Sequence, residues 1–104
     1  MIELEYRARV EVKSPVERPA EEWERLHRTL ERRLSAFGPV MERWPDRPSS
    51  EAAVTLSTDA AEPVDAGRML TDAVYLGILA AGLGDCYVSG VELAAVDDTA
   101  RAVA

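Results

Sequence analysis

The clearest pattern in the chain is at its start. Ile2, Leu4, Tyr6, Ala8, Val10 and Val12 alternate with Glu3, Glu5, Arg7, Arg9, Glu11 and Lys13. A period of two over a dozen residues predicts a strand with one buried and one wet face. A wet face argues for an antiparallel or mixed sheet covered on one side only. Ser14-Pro15 through Arg18-Pro19 is expected to break that strand. Trp23, Leu26, Leu30, Leu34 and Phe37 then recur at spacings of three and four, which predicts an amphipathic helix over about residues 20–36. Pro19 suits its first turn, and Glu21, Glu22 and Glu24 favour the positive end of its dipole. Gly38-Pro39 is expected to end it.

Val40 to Trp44 reads as a short strand between Pro39 and Pro45, a position that suits a sheet edge. After the turn Pro45-Asp46-Arg47-Pro48-Ser49, alternation resumes. Ala52, Val54, Leu56 and Thr58 interleave with Ala53, Thr55 and Ser57, predicting a third strand. A second helix is expected from about Pro63 to Ala81, with Glu62 as its cap and Gly82 as its stop. Tyr87 to Val96 predicts a last strand with a bulge at Gly90. Residues 1–97 thus read as one α/β domain and 98–104 as a frayed tail. The order β-α-β-β-α-β resembles the ferredoxin-like fold, an α+β two-layer sandwich. That resemblance implies a four-stranded, mostly antiparallel sheet with two helices on one face. It spans nearly the whole chain, rests on no family motif, and barely narrows function.

Composition changes the picture mainly by exclusion. The formal charge of −7 argues against nucleic acid and against anionic membrane surfaces as partners, because both need a basic face. The longest apolar run, Ala73 to Leu83, is shorter than the roughly 20 residues a bilayer requires. The start shows no charged-then-apolar leader pattern. The single cysteine, Cys86, cannot form an internal disulfide and suits a reducing cytoplasm. The richness in Ala and Arg beside one Lys, no Asn and no Gln looks like a bacterial genome of high GC content.

Catalytic chemistry finds little support. His27, the only histidine, lies within helical reach of Glu24 and Glu31, so a surface pair is the simpler account, and a His-rich zinc site is impossible. Cys86 follows a helix C-terminus beside Asp85, the opposite of the basic setting a nucleophilic thiol needs. Asp97-Asp98 with Glu92 reads as a solvated acidic end. Activities hosted by ferredoxin-like folds are testable by absence. There is no Asn for acylphosphatase-like catalysis and no CxxC for copper transfer. The chain also lacks the cysteines of a cluster-binding ferredoxin. No aromatic row marks the open sheet face, as RNA recognition would need. No phosphate-binding glycine loop occurs. No catalytic residue, metal site or cofactor is expected.

Two surfaces carry the functional expectation. On the second helix, Ala66, Met69, Leu70, Ala73, Leu76, Gly77 and Ala80 make an adequate core stripe. Val64, Tyr75, Ile78 and Leu79 then point away from it, towards a homo-oligomer or another protein. On the open sheet face, Arg7 and Arg9 are expected near Thr55 and Ser57, where they would hold an anionic small molecule. The alternative there is a solvated face of charge pairs. The leading expectation is a non-enzymatic cytoplasmic binding module that self-associates. The alternative is a small dimeric enzyme or ligand sensor using the sheet face.

Overall fold

The computed structural model describes residues 3–33, 40–41 and 48–96. In chain order these form β1 (Leu4–Arg18), α1 (Ala20–Arg33), β2 (Val40–Met41), β3 (Ser49–Ala60), α2 (Pro63–Ala80) and β4 (Tyr87–Ala95). The frame is an α+β fold of three long antiparallel strands and two helices. β1 is central, with β3 on one side and β4 on the other. The two-residue β2 pairs with β3 through Val40↔Thr55 and Met41↔Val54, so the strand order is β2-β3-β1-β4. The expected strand Val40–Trp44 is therefore present only as Val40–Met41. Glu42–Trp44 lie outside the described residues, as do Leu34 to Pro39, the turn through Arg47, and the tail from Asp97.

β1 is longer than its alternation suggests. It passes through Ser14-Pro15 to Arg18, and its register with β3 shifts between Lys13 and Arg18. Pairing jumps from Lys13↔Glu51 to Arg18↔Ser49, so the proline falls where no ladder bond to β3 is required. Ser14 holds the irregular stretch: its Oγ accepts the Val16 N–H at 3.3 Å and Arg18 Nε at 2.9 Å.

One core joins the layers. Ala8, Val10 and Val12 of β1 and Val54 and Leu56 of β3 pack against Trp23, Leu26 and Leu30 of α1 and Leu70, Val74 and Ile78 of α2. Both helices thus cover one sheet face. The buried Trp23 ring satisfies its polar atom by donating Nε1–H to the Ser49 carbonyl at 2.9 Å, as a buried indole must.

Gly77 marks where the helices approach. A Cβ there would sit 2.4 Å from Cδ2 of the buried Leu30. At the end of α2 the Leu83 N–H donates to the Ile78 carbonyl, and Gly82 takes φ 78°, the left-handed conformation that a helix stop requires. Glu62 flanks the other end, but its side chain makes no capping bond; Pro63 removes one orphan donor instead.

Candidate functional site

The open sheet face assembles as the strand register dictates. Arg7 stands opposite Ser57 and Arg9 opposite Thr55 on β3, while Glu92 of β4 stands opposite Arg9 on the other side. Arg7, Arg9, Thr55 and Glu92 line a shallow cavity of about 260 Å³ with Leu93 and Ala94. Ser57 is outside that lining. Arg9 Nη1 donates to Glu11 Oε1 at 2.7 Å, so part of the positive charge is matched within its own strand. Arg7 is exposed and has no ion pair among the described residues.

The outer surface of α2 departs from its expected layout. Ile78, expected to point outward, is buried at 1% exposure in the core. Met69 and Leu76, expected in the core stripe, are exposed instead. The expected outward positions of Val64, Tyr75 and Leu79 hold, and Val64 and Leu79 are each 64% exposed. The physical reason is that apolar residues flank the polar arc of Asp65, Arg68 and Asp72 on both sides, so spacing alone could not choose which flank is buried. The close approach of Gly77 to Leu30 does choose it: the helix is turned so that Gly77 and its neighbour Ile78 face inward.

Beside this surface lies a groove that the sequence pattern did not announce. It is about 550 Å³, open to solvent, and runs between α2 and β4. Val64, Gly67, Arg68 and Asp72 form one wall, Val91 and Leu93 the other. At Gly67 a Cβ would meet Leu93 of β4 at 3.6 Å, an ordinary packing distance. Arg68 and Asp72 are exposed, and neither has an ion pair among the described residues.

The remaining chemical candidates are structural. His27 Nε2 lies 3.1 Å from Glu31, an i,i+4 surface pair. Cys86 is buried, and contrary to its sequence surroundings it has a basic neighbour: Arg18 approaches it from the end of β1. Arg18 also bonds Asp85 and lies 3.4 Å from Glu22, tying β1, α1 and the turn before β4 together. Burial nonetheless pushes the Cys86 thiol up, although Arg18 and Ser14 pull the other way. A thiol held protonated is a weak nucleophile. No group of three or more His, Cys, Asp or Glu side chains among the described residues could hold a metal ion, and no described helix is long and apolar enough to cross a membrane.

No family model matches this chain, and no curated protein is significantly similar to it.

Proposed function

We propose that this chain is a small non-enzymatic binding module that self-associates through the outer surface of α2, built on a ferredoxin-like frame and working in the cytoplasm. The observation that carries the reading is the apolar outer side of α2, where Val64, Met69, Tyr75, Leu76 and Leu79 are all exposed on one helix. The element order and the strand order β2-β3-β1-β4 support the frame. A helix in a two-layer sandwich needs only one apolar side, and further large apolar residues exposed beside Asp65, Arg68 and Asp72 on its outer side suit a contact surface. Covering a leucine side chain contributes about 1.5–3 kcal/mol, so a few such residues drive association. Sedimentation of wild type against Leu79→Asp tests the reading. The wild type should sediment as an assembly and the variant, equally folded, at 11.4 kDa. A wild type and variant of identical mass would refute it.

A second reading is favoured by the sheet-face cavity. Arg7 and Arg9 above Thr55 form an anion-binding floor that would take a small carboxylate or phosphate. A ligand at about 100 times its dissociation constant stabilises the fold by roughly 2.7 kcal/mol. A thermal shift with inorganic phosphate or a dicarboxylate, lost in Arg7→Ala, would support it. No shift with any anion tried would count against it.

A further inference from the structure

The α2 surface borders a second unsatisfied feature, the free edge of β4. Nothing among the described residues pairs with that edge, because β4 ends the strand order. The Val96 N–H donates to the Glu5 carbonyl at 2.8 Å, which fixes the phase of the ladder with β1. In an antiparallel pair the backbone groups of successive residues point to opposite sides. Gly90, Glu92 and Ala94 therefore turn theirs towards β1, and Val91, Leu93 and Ala95 turn theirs outward. Two of these three, Val91 and Leu93, also form the strand wall of the groove beside α2. The edge thus presents a backbone ladder and an apolar trough side by side.

Proteins that keep a sheet edge solvated guard it with lysine, proline or inward-pointing charge. From Tyr87 to Ala95 β4 has neither lysine nor proline, and its one charge, Glu92, lies on the open face opposite Arg9. Its one irregularity is the bulge between Val88 and Gly90, which leaves Val91–Ala95 regular. The rim of the trough is self-complementary in charge. Arg68 and Asp72 stand one turn apart on α2, in the order least favourable for pairing within a helix, cation before anion. Across a two-fold axis each would meet the other's counterpart.

We infer that β4 pairs antiparallel with β4 of a second copy of this chain, so that the two sheets become one and the α2 helices lie side by side with reciprocal Arg68–Asp72 contacts. The inference rests on the self-association proposed above and specifies its geometry. A two-fold axis perpendicular to the sheet keeps both α2 helices on the same face. The occupant of the trough is then the apolar outer side of the partner's α2.

The test combines mass, charge reversal and amide exchange on the full chain. Arg68→Asp and Asp72→Arg should each weaken the dimer by at least about tenfold. The double variant should bring the affinity back close to wild type. Val91→Pro, which removes an outward N–H without touching the ladder to β1, should give a folded monomer. The Val91, Leu93 and Ala95 amides should exchange slowly at high protein concentration and faster on dilution. If Leu79→Asp dissociates the assembly while Val91→Pro and the charge reversals do not, the α2 contact stands and the edge pairing is overturned. Protection of those amides that ignores concentration would assign the edge to the chain's own tail and overturn it equally. A monomeric wild type would remove both proposals. Should Val91→Pro fail to fold, the charge-reversal rescue and the amide exchange decide the matter.

Discussion

The two helices lie in one layer over one sheet, yet their outer sides have opposite character. Every exposed residue of α1 among those described is charged: Glu21, Arg25, Arg28, Glu31 and Arg32. Several are tied into short pairs, with Arg28 Nη2 donating to Glu24 Oε1 at 2.6 Å and Arg25 reaching Glu22 at 4.0 Å. The exposed side of α2 has Val64, Met69, Tyr75, Leu76 and Leu79, with Asp65 in its first turn and, at the groove, Arg68 and Asp72, which have no ion pair among the described residues. Both helices meet the same folding requirement, an apolar inner side. α1 shows that this fold can be completed with a polar exterior, so covering the sheet does not by itself require the large apolar residues on the exterior of α2.

That contrast is broken most sharply at two adjacent residues. Ile78→Asp places a charge in the core and should destabilise the protein by about 4 kcal/mol or more, a large part of the roughly 5–15 kcal/mol that holds a small domain folded. Leu79→Asp, one residue on, should leave the monomer within about 0.5 kcal/mol in urea unfolding and abolish assembly. Equal destabilisation by both would erase the distinction between the inner and outer sides of α2.

The inner side of α1 should be as sensitive as that of α2. Leu30→Ala, at a fully buried position that contacts the Gly77 backbone, should lower stability by about 2–5 kcal/mol with no change in assembly. Gly77→Val probes the same junction from the other helix. The added side chain collides with Leu30, and stability should fall by about 1–3 kcal/mol as the helices are pushed apart. A neutral result in denaturant titration would mean that the approach of α1 to α2 does not set the rotation of α2.

The smallest effect concerns Cys86. Its folded thiol titrates above the ordinary value of 9.0 because burial disfavours the thiolate. The unfolded chain therefore loses its proton first as pH rises. Stability from this group is complete below about pH 9 and declines above it, through the folded thiol's own titration. Below that range the thiol should react with a disulfide reagent only as fast as the fold opens. Fast reaction at neutral pH would show the pocket of Ser14, Arg18 and Asp85 to be open.

Much of the frame was legible in the sequence. The alternation of β1 and β3 placed Arg7, Arg9, Thr55 and Ser57 on one face, because a period of two leaves no choice of side once one face is apolar. The glycine at 82 marked the end of α2, because few other residues tolerate that conformation. The rotation of α2 was not legible. Apolar residues stand on both flanks of its polar arc, and the flank turned inward is the one where Gly77 approaches Leu30, 47 positions earlier in the chain. Arg18 beside Cys86 was hidden for a similar reason, since the strand was expected to end at Ser14-Pro15 and in fact continues to Arg18. The groove between α2 and β4 was hidden as well, because it exists only once β4 lies against α2.

The central claim is that the outer side of α2 is covered in solution by a second copy of the chain. Light scattering of the wild type at low and high salt tests it most directly. A mass of twice 11.4 kDa that persists at high salt is the predicted result, since an apolar contact is strengthened or unaffected where charge pairs are screened. A mass of 11.4 kDa at every concentration and salt would contradict the account.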